Sequence, residues 1–97
     1  MAIIDTIREL YLSGNYEFRF HIYEKLEEIN RIHGTELTEE DVEEIILTGE
    51  IDRILDNDRR GKRCVIIGVA LDKRTDLEIV CRIKNSLVII SVYVPYF

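Results

Sequence analysis

The amino-acid sequence predicts an α+β fold, with N-terminal helices packed on a mainly antiparallel sheet of four to five strands in the order α-β-α-α-β-β-β-β. Three observations carry this expectation. Helical periodicity and capping signals are confined to the first half of the chain, interrupted by one short alternating stretch. After Gly49 the pattern becomes strand-like, with turn formers at short intervals, and stays so as far as Pro95. Helices first and a strand meander afterwards argue against alternating βαβ units and a parallel sheet.

Ile3, Ile4, Ile7, Leu10 and Tyr11 recur at helical spacing, and Gly14 is free to adopt the left-handed stop, so the first helix spans about residues 2 to 13. Tyr16 to His21 alternates aromatic with charged residues, which predicts a short, half-buried strand ending at His21. From Ile22 the period changes: Ile22, Leu26, Ile29 and Ile32 or His33 form the stripe of a second helix that Gly34 ends. Thr38 and Asp41 have the spacing of a capping box, and Glu39, Glu40 and Asp41 suit the positive end of the helix dipole. This third helix buries Val42, Ile45 and Ile46 and closes at Gly49.

Four strands follow. Ile51 to Leu55 starts them, and the polar segment Asp56 to Gly61 reads as a hairpin connection into Lys62 to Leu71. Asp72 to Asp76 turns the chain again. In the next strand Leu77, Ile79, Cys81 and Ile83 share one face, while Glu78, Val80, Arg82 and Lys84 share the other. Asn85-Ser86 fits a two-residue turn into Leu87 to Val94, which is apolar on both faces and ends at Pro95, a residue with no N–H to donate.

With 97 residues, 46% of them apolar and 33% charged, the chain suits a single domain over residues 1–97 with one modest core, and not a disordered segment. The longest apolar run, Cys64 to Leu71, is far shorter than the ~18 residues of a membrane span. The first residues lack the basic flank and cleavage site of a signal peptide. A cytoplasmic protein without membrane association is the expectation. Cys64 and Cys81, each within an apolar stretch, read as core thiols of a reducing compartment; a bridge between them requires their strands to pair side by side. Two cysteines with His21 and His33 on different elements do not supply four zinc ligands, so no metal site is expected. The chain has no glycine-rich phosphate loop, dinucleotide fingerprint or nucleophile elbow, and no cofactor is expected.

Charge is strongly polarised. Residues 1 to 58 hold five basic and sixteen acidic side chains, a net −11, whereas residues 59 to 97 hold eight basic and three acidic ones, a net +5. Such a basic half suits a polyanion, and equally suits mutual neutralisation of the two halves across the fold. Arg59, Arg60, Lys62 and Arg63, joined by Lys84, are the candidates for contact with a nucleic-acid backbone, against the plainer reading of a soluble hairpin tip.

His21, at a junction of strand and helix, is placed to act as a general acid or base, or else to satisfy open backbone N–H groups at the start of the second helix. His33, beside Gly34 in a last helical turn, suits the dipole there. Arg82 with Glu78 and Lys84 on one strand face, and Ser91 with Tyr93 on the next, suit a phosphodiester held for attack by its neighbouring 2′-hydroxyl, or else the solvated face of an antiparallel sheet.

Several segments taken together resemble a family of small microbial proteins, the domain of unknown function DUF4258. They are Ile7-Arg8-Glu9-Leu10, the short strand ending at His21, the run from Leu37 to Ile51, then Gly68, and Ser91-Val92-Tyr93-Val94-Pro95. The chain departs from that family's pattern in having Arg19 two places before the histidine and Ile22 after it, in a longer stretch between His21 and Leu37, and in placing Glu78 near where relatives carry a second histidine. Members are similar in layout to the BrnT and RelE-like toxins, small α+β ribonucleases that hold RNA on a sheet face and are silenced by an antitoxin.

The resemblance therefore implies a metal-independent endoribonuclease or RNA-binding relative, with an antitoxin protein as partner. Its catalytic residues would be His21 to move a proton, Arg82 to neutralise charge on the phosphorane and Tyr93 to orient the scissile phosphate. The alternative expectation is a non-catalytic interaction module that forms a homodimer, or binds a partner, through the apolar edge from Leu87 to Phe97.

Overall fold

A computed structural model describes residues 2–95 of the chain. Along it run α1 (Ile3–Leu12), β1 (Tyr16–Phe18), α2 (His21–His33), α3 (Glu39–Thr48), β2 (Glu50–Asp58), β3 (Gly61–Val69), β4 (Asp76–Ile83) and β5 (Leu87–Tyr93). This is the predicted α+β order. The strands form one sheet in the order β1-β5-β4-β3-β2, antiparallel from β2 through β5, with β1 added in parallel to β5.

The helices cover one face of this sheet. Ile7 of α1, Ile22, Leu26 and Ile29 of α2, and Val42, Ile45 and Ile46 of α3 pack against Cys64, Ile66, Leu77, Ile79, Cys81, Ile83, Leu87, Ile89 and Val92 in one buried cluster. Alternation along each strand puts their neighbours on the opposite, open face: Arg63, Val65 and Ile67 of β3, Glu78, Val80 and Arg82 of β4, and Val88, Ser91 and Tyr93 of β5.

Two boundaries differ from expectation, each for a local reason. The first strand ends at Phe18 instead of His21, because the Ile22 and Tyr23 N–H groups bond back to the Arg19 and Phe20 carbonyls and start a helical turn there. Phe20, the third aromatic of the alternation, is left 78% exposed. The polar residues read as a loop before Gly61 are instead the end of β2: Asp56, Asn57 and Asp58 pair with Arg63, Lys62 and Gly61, leaving Arg59-Arg60 as the turn. Opposite charges across the ladder compensate for the poor strand propensity of these residues.

The predicted capping box is present. Thr38 Oγ1 accepts from the Glu40 N–H and the Asp41 carboxylate accepts from the Thr38 N–H. The second Asp41 oxygen accepts from the Leu71 N–H at 3.0 Å, so one buried carboxylate ties the start of α3 to the turn that follows β3. Asp41→Ala removes a cap worth ~1 kcal/mol and strands a second backbone donor at ~1–3 kcal/mol. A loss of about 2–3 kcal/mol in urea unfolding is expected; an unchanged midpoint would contradict this role. The other end of α3 is capped from outside: Arg8 of α1 donates to the Ile46 and Gly49 carbonyls at 3.1 and 2.6 Å, placing a cation where the dipole is negative. No described helix is long and apolar enough to cross a membrane.

Candidate functional site

The open face of the sheet carries rungs of side chains set by the strand register. Asp56, Arg63, Arg82 and Val88 form one rung, Arg53, Val65, Val80 and Ser91 the next, and Glu50, Ile67, Glu78 and Tyr93 the last. β1 flanks β5 only from Leu87 to Ile89; α2 also packs against β5, with Lys25 reaching Tyr93. The corner between α2 and the last rung is therefore built by a helix flank on one side and an exposed strand end on the other.

His21 and Lys25 stand four residues apart on α2, so they share one flank of the helix about 6 Å apart along its axis. Both are half-buried. The Lys25 ammonium lies over the ring of Tyr93, 4.8 Å from its centroid, and Tyr93 stays 44% exposed. Glu78 is the strand neighbour of Tyr93 and accepts from Arg53 at 3.3 Å. Phe20 stands edge-on to the His21 imidazole, with ring centroids 6.0 Å apart. The same flank continues into a shallow cleft of about 190 Å³ lined by Lys25, Glu28, Ile29, Ile32, His33, Tyr93 and Val94.

Arg82 lies elsewhere on the same face. Its register partner is Val88, whereas that of Tyr93 is Glu78, four residues away along β4, or about 13 Å at ~3.3 Å per strand residue. Its guanidinium is held near Asp56 and Asp58, with Nη1 3.9 and 3.8 Å from their carboxylates, while Arg63 pairs with Asp56 at 2.8 Å. Arg82 Nη1, Arg63 Nε and Asp56 Oδ1 are closed to solvent and make no hydrogen bond. The structure thus brings Lys25 to the Tyr93 ring and sets His21 one helical turn from Lys25, while Arg82 lies four strand residues from the register partner of Tyr93.

The basic residues Arg59, Arg60, Lys62, Arg63 and Lys84 gather where the β2–β3 turn meets the β4–β5 connection. Lys84 Nζ donates to the Arg59 carbonyl at 2.5 Å, and Arg60 binds Asp58 through its backbone and side chain at 2.8 and 3.0 Å. Those hydrogen bonds from Arg60 hold the Asp58 carboxyl below its usual pKa. Acids of the −11 half therefore neutralise part of the +5 half directly. The excess at this end of the sheet remains positive, with six cations, counting Arg82, against Asp56 and Asp58.

Lys25 is the residue that sequence reasoning missed. Its only signal was its position one turn after His21, and the ring it covers is 68 residues further along the chain. The expectation of a C-terminal edge strand is corrected: β5 lies between β1 and β4, and the free edges of the sheet are β1 and β2. Tyr96 and Phe97, the aromatic end of that proposed interface, lie outside the described residues. Among the described residues, no three histidine, cysteine, aspartate or glutamate side chains cluster to hold a metal ion.

A family described as domain of unknown function (DUF4258) matches residues 19–94, which include β4, β5 and the whole of the α2 corner. No curated protein matches the chain significantly, and no solved structure does. The matched segment takes in most of the chain, from Arg19 before α2 to Val94 after β5, and so the chain belongs to the DUF4258 family.

Proposed function

We propose that this protein is a toxin-type endoribonuclease that works without metal at the corner between α2 and the end of β5. The observation that carries the reading is the Lys25 ammonium over the exposed Tyr93 ring, one helical turn from a half-exposed His21. These are the parts that a 2′-hydroxyl attack requires. His21 accepts the 2′-hydroxyl proton as that oxygen bonds to phosphorus. Lys25 offsets the charge that builds on the phosphorane, and the Tyr93 hydroxyl donates to a non-bridging oxygen. The bond to the 5′-oxygen breaks and the imidazolium returns its proton to it, leaving a 2′,3′-cyclic phosphate and a 5′-hydroxyl.

Arg82, four strand residues away, holds a more distant phosphate of the same strand, and Arg59, Arg60, Lys62, Arg63 and Lys84 extend that contact toward the hairpin tip. In this reading the protein acts in the cytoplasm, and an antitoxin protein silences it by covering the corner.

The test is incubation of purified protein with single-stranded RNA in the presence of a chelator. Fragments ending in 2′,3′-cyclic phosphate are expected, and a fully 2′-deoxy strand should stay intact. RNA that remains whole at high protein concentration would remove the enzymatic reading. Binding should also weaken steeply with salt. Asp58→Asn releases Arg60 and leaves Arg82 with one fewer carboxylate, so RNA binding at low salt should tighten by about fivefold; unchanged or weaker binding would show that these arginines do not meet the polyanion.

The alternative, a non-catalytic module that binds a partner or a second copy, is supported by β2. This nine-residue strand is a free edge with Ile54 and Leu55 50% and 41% exposed. It predicts intact RNA and a mass above that of the monomer in light scattering.

A further inference from the structure

We infer that Cys64 and Cys81 are a redox-active dithiol, which small peroxides convert to a disulfide linking β3 to β4. The two residues face each other in register, their sulfur atoms are 3.6 Å apart, and both side chains have no solvent exposure. Opposed residues of antiparallel strands have Cα atoms ~4.5 or ~5.5 Å apart. Both spacings fall inside the ~4.4–6.8 Å that a disulfide accepts, so side-chain rotation brings the sulfurs together without moving either strand. The condition set by the sequence, that the two strands pair side by side, is met at the one rung where it matters.

The thiols differ in proton affinity. The contact between the two sulfurs draws the Cys64 thiol below its ordinary pKa against the effect of burial, while that same contact and burial push the Cys81 thiol up. Either sulfur can start the reaction and the same disulfide results; one order begins at Cys64. Its thiolate attacks one peroxide oxygen, the O–O bond breaks, and the sulfenic acid forms as the other oxygen leaves and is protonated. Cys81 sulfur then attacks Cys64 sulfur, the S–O bond breaks, and the departing sulfenic hydroxyl takes up the Cys81 proton to leave as water. The two thiols lose two electrons and the peroxide gains them, so one disulfide and two hydroxylic products result.

The bond lies one rung from the Arg63–Arg82 pair and ties the strands beneath that ionic network. Burial makes the reaction slow, because peroxide reaches the sulfurs only when the sheet opens locally.

Hydrogen peroxide treatment of the native wild-type protein, followed by denaturation in N-ethylmaleimide and intact-mass measurement, tests this. Untreated protein should take two maleimide groups. Treated protein should take none, weigh two hydrogens less than the reduced chain and remain a monomer, and dithiothreitol should restore both thiols. Its thermal midpoint should rise by roughly 15 °C, since a loop of 17 residues is closed in the unfolded state. Thiols that are still alkylated after treatment would overturn the inference, as would oxygen adducts in place of hydrogen loss, or disulfide-linked dimers. Cys64→Ser and Cys81→Ser should each abolish the loss of two hydrogens; the wild-type masses decide the matter even if neither variant folds.

Discussion

His21→Ala is expected to lower RNA cleavage by about 10²–10⁴-fold, the range for losing a positioned general base, while RNA binding changes little. Lys25→Ala should lower cleavage by ~10²-fold, because a cation next to the reacting phosphate acts mainly on the charge that develops there. The two variants separate chemistry from stability. His21 begins α2 without capping it, and Lys25 is a half-buried helix-flank residue, so neither belongs to the buried cluster and neither substitution should move the thermal midpoint by more than a few degrees. Lys25→Arg keeps a cation over the ring and should retain much of the rate, whereas Lys25→Met keeps the aliphatic stem and should behave like alanine. Equal cleavage by wild type and both alanine variants would show that any nuclease activity of this chain arises elsewhere.

Gly49→Ala is expected to destabilise the fold by on the order of 3 kcal/mol, near the top of the overpacking range, and to lower the thermal midpoint by roughly 15 °C. A methyl group at this position would lie 2.6 Å from the Ile45 carbonyl oxygen, closer still to that of Ile67, and 3.1 Å from the Ile66 side chain. The first two are backbone atoms of α3 and β3, which move only by breaking the last helical turn or the sheet. Gly68 closes the same contact from the other side, with its missing Cβ 3.2 Å from Ile45. These glycines let α3 descend on β3. Gly34 is the control: it has φ +68 but nothing within 4 Å of its missing methyl. Gly34→Ala should therefore cost only about 1 kcal/mol, from backbone conformation alone. Thermal melts of the two variants side by side test the contrast, and equal losses would contradict it.

The parts of the fold legible in the sequence were those written in local chemistry. Thr38 and Asp41 announce the start of α3 because both halves of a capping box lie within four residues. The alternation from Leu77 to Ile83 assigned the two faces of β4 correctly because strand period alone decides it. Parallel pairing of Tyr16–Phe18 with Leu87–Ile89 was not legible, since nothing local in a three-residue strand names a partner 71 residues away.

Site geometry was lost for the same reason. Arg82 and Tyr93 lie on one face of the sheet, but their separation depends on the register of β4 against β5. That register shifts between Val80 and Cys81, where β5 carries an extra residue. Asp56 and Asp58 looked like loop formers and proved to be ladder partners that draw Arg63, Arg60 and Arg82 to themselves. Lys25 was hidden on a helix whose apolar stripe explained it without any need for a distant ring.

The most direct test of the α2–β5 corner is an NMR titration of the wild-type protein with a short RNA whose scissile nucleotide carries a 2′-deoxy sugar. It binds but lacks the attacking hydroxyl. The largest shifts should fall on His21, Lys25 and Tyr93, with smaller ones extending over Arg82 toward Arg59, Arg60 and Lys84, and all should weaken as salt is raised. Shifts confined to the hairpin tip, with His21, Lys25 and Tyr93 unmoved at saturation, would contradict the assignment of this corner as the reacting site.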